Sequence, residues 1–338
     1  MTAVIFGAVV LLIAAFAFLN GFRDVSSSVA LAVRTRALTP TVAVLLAAFF
    51  NLVGALLSAS VVVAISHTWI SLPAGTSGLS ILLAGVSSAC AWGLLMWWRG
   101  IPASSTHALV GGLAGAGLAS LAVGGLGVGG VDRSLLVQVV LPLLLSPVVA
   151  YVGAYLAVFP TTWASRYAQP NVSNQRFRRN QAIAAGAVAF GHGLQDGQRV
   201  GAVMLLALAA AGYADGDSTP LWVALFSAIM MAAGTMCGGW RISYTLAYRI
   251  TRIDPLRGFV SQTVSAIMLL VGAIGLQLPL STTHTVTASA LGAGENQHFS
   301  VTNRKLVLTI LGLWVLTPVA TAAVAFVFAL ALSPLAGI

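Results

Sequence analysis

The chain has 338 residues, 59% of them apolar and only 7% charged, and its mean hydropathy is +0.97. A soluble domain carries about a quarter charged residues, so this composition excludes a water-soluble globular protein and points to an all-α, polytopic membrane protein. Alternating segments of about ten residues are absent, which excludes a membrane β-barrel, and the net charge of +9 reads as loop charge that fixes topology rather than as a nucleic-acid footprint.

Residues 1–19 carry no Lys or Arg; a secretory leader needs a basic start, so this stretch reads as a retained membrane helix. The first apolar run, 3–36, is interrupted by Asn20-Gly21-Phe22-Arg23-Asp24 and ends at Arg34 and Arg36. Thr39-Pro40 starts the next span, 40–66, and a neutral loop from Ser66 to Gly78 follows. Span 79–98 ends in Trp97-Trp98-Arg99. Pro102-Ala103-Ser104-Ser105-Thr106-His107 then opens a glycine-rich helix over 104–123, with a Gly111-xxx-Gly115 packing spacing. A glycine loop, 124–130, leads through Asp132-Arg133 to span 135–159.

Residues 160–180 hold Arg166, Arg176, Arg178 and Arg179 and no acid. They read as a basic cytoplasmic linker between an N-terminal repeat, 1–159, and a C-terminal repeat, 181–338. The second half restarts with an apolar run, 181–213, interrupted by Gln195-Asp196-Gly197-Gln198-Arg199. After the acidic loop Asp215-Gly216-Asp217 come span 220–239, a stretch with Arg241, Arg249, Arg252 and Arg257, and span 258–278. Pro279-Leu280-Ser281-Thr282-Thr283-His284 opens helix 281–293, and Arg304-Lys305 precedes the last span, 306–332.

The doubled proline–hydroxyl motif organises the chain. A helix start offers free N–H groups and the positive end of the dipole. Hydroxyls at Ser104, Ser105, Thr106, Ser281, Thr282 and Thr283 add donors for an anion, beyond the N-cap role that one such motif alone would suggest. Asp24 precedes His107 by 83 residues and Asp196 precedes His284 by 88. With each motif at the tip of a re-entrant-type hairpin and each long run crossing once as a broken helix, the halves enter the membrane from opposite sides, as two inverted-topology repeats. That arrangement puts 12 of the 16 Lys and Arg residues on the cytoplasmic side.

Asp24 and Asp196 fall mid-membrane, where ionisable groups are functional by default. They are candidates for coupling-ion binding, with Asn20, His107 and His284 beside them. The plain alternative is ion pairing with Arg23 and Arg199, which otherwise contact substrate together with Gln195 and Gln198. Arg99 suits either substrate contact or a membrane edge. His67, His192 and His298 read as packing residues, and no His, Cys and acid set has metal-ligand spacing, so no structural metal is expected. Cys90 and Cys237 read as small core residues without a disulfide. A Ser–His–Asp hydrolase is disfavoured because every element occurs twice and no Gly-x-Ser-x-Gly elbow is present. No phosphate-binding Gly-x-x-x-x-Gly-Lys-Ser/Thr loop occurs either.

These paired motifs, in this order, resemble the inorganic phosphate transporter (PiT) family. Pro279 to His284 with Gly292 and Gly294, Pro102 to His107 with Gly111 to Gly117, Gly238 to Arg241 with Asp254 to Phe259, and Asp196-Gly197-Gln198-Arg199 carry the likeness over nearly the whole chain. The resemblance implies an ion-coupled symporter of inorganic phosphate, multi-pass in the cytoplasmic (inner) membrane. The hydroxyl motifs would bind the anion and the acids would hold the coupling cation. A sulfate permease of the same fold and an intramembrane hydrolase are the alternatives. The chain departs from the family at Arg23 and Gln195, where the family has Asn, and at Ser27. Fewer neutral oxygen ligands at Asp24 and Asp196 favour H+ over Na+. The expected partners are phosphate, the bilayer and, in a homo-oligomer, further copies of the chain; no cofactor and no nucleic acid is expected.

The topology makes residues 165–180 cytoplasmic and Asp215 to Ser218 external. Single cysteines at Arg179 and Ser218, with Cys90 and Cys237 replaced, should react with an impermeant thiol reagent on intact cells only at 218. Reaction only at 179 inverts the assignment.

Overall fold

A computed structural model describes residues 1–58, 71–128, 136–214, 219–297 and 301–336. His67, Asp132-Arg133, Asp215 to Ser218 and His298, singled out above, lie outside the described residues. The helices are α1 (Thr2–Arg34), α2 (Pro40–Leu57), α3 (Thr76–Arg99), α4 (Ser105–Ala122), α5 (Leu141–Ser165) and α6 (Pro170–Ala211) in the first part of the chain. After them come α7 (Leu221–Cys237), α8 (Trp240–Tyr244), α9 (Pro255–Leu270), α10 (Thr282–Glu295) and α11 (Arg304–Ala336). Single π turns precede α5 and extend α8 and α9.

Apolar composition and end signals account for these elements. Pro40, Pro170 and Pro255 stand at helix starts, where the missing N–H costs nothing. Asp254 caps α9 by accepting from the Arg257 N–H at 2.9 Å. Gly100 ends α3 in the left-handed region at φ 66°, which only glycine enters without strain. Among the described residues, six helices are long and apolar enough to span a bilayer. α7 bends by 60° into α8 across Gly238-Gly239. At 14 residues, α10 is shorter than the roughly 20 that cross a hydrocarbon core, and it returns from the break at 276–281 as one arm of a hairpin with α9. α3 and α4 make the corresponding hairpin around 100–104.

The long helices α1 and α6 differ from the expectation of broken helices. Both run without interruption through Asn20 to Asp24 and Gln195 to Arg199. The glycines there serve close packing rather than a break. A Cβ on Gly21 would strike the Met231 carbonyl of α7, and one on Gly197 would meet Ala55 of α2 and the Ser58 hydroxyl. Arg23, Asp24, Gln195 and Arg199 remain helical while bonding to partners distant in sequence, which overrides a local reading of polarity. The basic stretch 160–180 is likewise mostly helix. Only 166–169 turn between α5 and α6, and Arg166, Arg176 and Arg179 are exposed there.

Packing is reciprocal between the halves. α1 lies on α7, and α2 lies on α6. α11, the last helix, packs on α4, whereas α5, which ends the first half, packs on α10. Small residues make these crossings tight. A Cβ on Gly111 or Gly115 would hit carbonyls of α11, and a Cβ on Gly292 would hit the Tyr151 carbonyl of α5. Outward-facing Leu144, Val148 and Val315 are exposed, as a lipid-facing surface requires. Cys90 is buried as expected, but Cys237 is exposed at the α7–α8 bend. The polar residues of α1 and α6 and the two hydroxyl motifs are buried inside this shell.

Candidate functional site

Each hydroxyl motif begins as a capped helix. Ser104, in extended conformation, accepts the His107 N–H at 3.2 Å, and Ser281 accepts the His284 N–H at 3.3 Å. The first hydroxyl of each triplet is therefore an N-cap. Ser105, Thr106, Thr282 and Thr283 occupy the first turn and are buried. Thr283 donates to Asp24 at 3.1 Å, joining α10 to α1 across the two halves. The Thr106 and Thr282 hydroxyls are buried without a hydrogen-bond partner. Burying a hydroxyl unbonded is unfavourable, so these two are available to an anion.

The arginines position the motifs. Arg23 of α1 donates to the Ala103 carbonyl at 2.7 Å, and Arg199 of α6 donates to the Leu280 carbonyl. Ala103 and Leu280 each directly precede the capping serine. Gln195 adds a second tie, donating to the Leu278 carbonyl at 3.2 Å and accepting the Leu280 N–H at 3.3 Å. Arg199 also pairs with Asp196 and donates to Gln195 at 3.2 Å. The expected acid–arginine pairing thus occurs in the second half, whereas among the described residues Arg23 forms no ion pair with Asp24. Asn20 and Gln198 are buried, and neither amide atom of Asn20 is bonded. The Ser27 hydroxyl is also buried and unbonded.

His192 corrects the expectation that no histidine shares metal-ligand spacing with an acid. It lies four residues before Asp196, on the same helix face. Its Nε2 is 3.3 Å from Asp196 and 3.9 Å from Asp24. Together the three offer ligand atoms within 4.8 Å of one another, all buried. The i,i+4 spacing was the available signal; Asp24 completes the set only through the fold.

The hydrogen bonds around His192 fix its tautomer. Thr235 donates to the Met231 carbonyl at 2.9 Å, so it accepts from the Asn51 Nδ2 at 2.9 Å. That orients the Asn51 amide with its oxygen toward His192 Nδ1, at 2.9 Å, and Nδ1 therefore carries a proton. Nε2 is left facing two carboxylates. An imidazole lone pair repels both, so the arrangement calls for a proton on Nε2 or a cation beside it.

His107 and His284 are placed differently. Their rings lie 4.7 Å apart, and His284 stacks on Trp314 at 3.9 Å. His107 Nδ1 meets the Ser104 hydroxyl at 2.9 Å. Both rings border an apolar cavity, and neither comes within 4 Å of a carboxylate among the described residues. Arg99 ends α3 and is exposed. The structure therefore brings Ser104 to Thr106, Ser281 to Thr283, Arg23, Gln195, Arg199, Asp24 and Asp196 into one connected set, and adds His192.

Residues 20–325 match the model of a phosphate transporter family. The chain is 32% identical over 304 residues to a probable low-affinity inorganic phosphate transporter of Bacillus subtilis (strain 168), covering 90% of each protein. It is 35% identical over 308 residues to a protein of the same description from Rhizobium meliloti (strain 1021), covering 91% of this chain and 90% of the relative. Its fold matches a solved structure described as the sodium-dependent phosphate transporter, with a TM-score of 0.85 and 22% identity over 98% of this chain and 99% of that one.

Arg199 is the most consequential single side chain in this geometry. Arg199→Ala should destabilise the protein by about 3–5 kcal/mol, because it leaves the Asp196 carboxylate buried without its cation. Arg199→Ala/Asp196→Ala should recover part of the loss in thermal unfolding in detergent. An unchanged unfolding midpoint in the single variant contradicts the tether.

Proposed function

The chain belongs to the phosphate transporter family, and from that premise we propose that it is an ion-coupled symporter that holds inorganic phosphate between its two hydroxyl-rich helix starts. Family membership makes it a transporter, not an enzyme, and a multi-pass protein of the cytoplasmic membrane. The intramembrane hydrolase is thereby set aside. The reading rests on one observation above others: two motifs with unbonded buried hydroxyls, Thr106 and Thr282, are each tied by an arginine through the carbonyl before the cap.

In this reading the free N–H groups and hydroxyls at the starts of α4 and α10 bind the phosphate oxygens. The two helix dipoles and the guanidinium groups of Arg23 and Arg199 offset its charge. The unbonded Nε edges of both arginines give them donors to spare. The preference for phosphate over sulfate then follows from donor and acceptor matching. A hydrogen phosphate carries a P–OH that donates, and the carboxylate of Asp24, already accepting from Thr283 at 3.1 Å, is an acceptor next to the site. Sulfate at neutral pH has no such donor and meets only repulsion from that carboxylate.

The coupling cation belongs at Asp24, His192 and Asp196. Because Nε2 of His192 faces both acids, a proton there balances the cluster, and the arginines leave fewer neutral oxygens for Na+. A second reading, sodium, is supported by the description of the structural relative as sodium-dependent and by a cluster of ligand size. Thr283 links this cluster to the second motif, so filling the cation site and ordering the anion site are one event. The two inverted-topology repeats then supply alternating access, each hairpin rocking against the long helices.

Labelled phosphate uptake into proteoliposomes tests the assignment. Uptake driven by an inward pH gradient without sodium, resistant to excess sulfate, is expected. Asp24→Asn and Asp196→Asn should each reduce it by about 100-fold or more, the loss of a coupling group rather than of a minor contact. Uptake driven by sodium alone replaces the proton reading, and no phosphate flux under either gradient refutes the function.

A further inference from the structure

An apolar cavity of about 610 Å³ lies between α5 and α11, and the rings of His107 and His284 at the ends of the two motifs border it. Its walls include Leu144, Val148 and Tyr151 of α5 and Val307 and Trp314 of α11, and its inner end reaches the His284 ring. Leu144 is 59% exposed and Val148 57% exposed, so the cavity opens sideways, on the surface that faces hydrocarbon. Along α11 it runs from Val307 to Pro318, roughly 16 Å at the rise of a helix.

One end is basic. Ile250 lines the cavity between Arg249 and Arg252, and Val307 lines it one turn after Arg304-Lys305. The two segments touch, since the Asn303 N–H donates to the Ile250 carbonyl at 2.9 Å. All four cationic side chains are exposed, and among the described residues none has an acidic partner within 4 Å. The nearby acids are engaged elsewhere: Asp254 pairs with Arg257, and Glu295 accepts from Tyr151 at 2.9 Å. This is also the end that the distribution of charge puts in the cytoplasm.

We propose that this cavity is a binding site for an anionic phospholipid. The headgroup phosphate rests on Arg249, Arg252, Arg304 and Lys305, and one acyl chain enters the cavity and packs on Trp314. A cationic cluster at the mouth of a lipid-facing apolar slot is complementary to both parts of such a molecule and to neither a soluble anion nor a zwitterionic lipid. The site has a mechanical consequence. Trp314 stacks on His284 and donates to the Pro102 carbonyl at 3.0 Å, so it touches both motifs. A chain lodged against it braces α5 of one half and α11 of the other behind the anion site. The inference stands independently of which anion or cation is transported.

Bromine on an acyl chain quenches tryptophan on contact, which makes Trp314 the reporter. The protein is reconstituted in nanodiscs of phosphatidylcholine doped with dibrominated phosphatidylglycerol or dibrominated phosphatidylcholine. The Trp314 signal is the difference between the wild type and Trp314→Phe. It should be quenched at a mole fraction of brominated phosphatidylglycerol about tenfold below that of brominated phosphatidylcholine. Arg249→Gln/Arg252→Gln/Arg304→Gln/Lys305→Gln should abolish the difference while leaving quenching by brominated phosphatidylcholine in place, which also shows that the variant is folded. Equal quenching by the two lipids in the wild type, or a preference that survives the fourfold substitution, overturns the proposal. So does a Trp314 that neither lipid quenches, the result expected if a second copy of the chain covers the cavity.

Discussion

Two buried guanidinium groups hold the centre of this protein together. Arg23 and Arg199 each reach from a long helix to the backbone carbonyl that precedes a capping serine. A buried cation is costly, and each guanidinium offsets part of that cost by bonding a hairpin-tip carbonyl, Arg199 also by pairing with Asp196. The same bonds fix the direction in which the two helix starts point. The proposed anion site depends on that direction, because it sets where the free N–H groups of each helix start and the buried hydroxyls of Thr106 and Thr282 lie.

The acids are held by a second framework, which shares Arg199 with the first through its ion pair with Asp196. The chain from His192 through Asn51 and Thr235 to the Met231 carbonyl crosses α6, α2 and α7 and sets the edge of the imidazole that faces Asp24 and Asp196. Thr283 adds a direct link, bonding the helix that opens with the second hydroxyl motif to the Asp24 carboxylate. In the proposed cycle this contact carries the coupling, because neither site can rearrange without shifting the other. Tight glycine crossings, such as Gly21 on α7, hold the long helices in close contact with their neighbours.

Much of the architecture was legible in the residues. Apolar runs marked the spans, because a bilayer leaves the backbone few alternatives. Pro-x-Ser-x-Thr-His marked both hairpin returns, because a proline, a capping hydroxyl and a helix start are local chemistry. Gly111 and Gly115 marked a close crossing, found against α11. What local sequence did not carry was tertiary compensation. The pentapeptides at Asn20 to Asp24 and Gln195 to Arg199 read as breaks, yet distant partners keep them helical. Arg23 stands next to Asp24 in sequence but bonds 80 residues away, at Ala103. His192 was four residues from Asp196 in plain view, but its meaning depends on Asp24, which only the packing of α1 against α6 supplies.

The central claim is that both hydroxyl motifs touch the same anion. Carbon–phosphorus dipolar recoupling by solid-state NMR measures this directly, on threonine-labelled protein in bilayers with bound inorganic phosphate. The account predicts dephasing of the Thr106 and Thr282 signals together, assigned by Thr106→Val and Thr282→Val. Dephasing confined to one motif, or absent from both while phosphate is bound elsewhere, would contradict it.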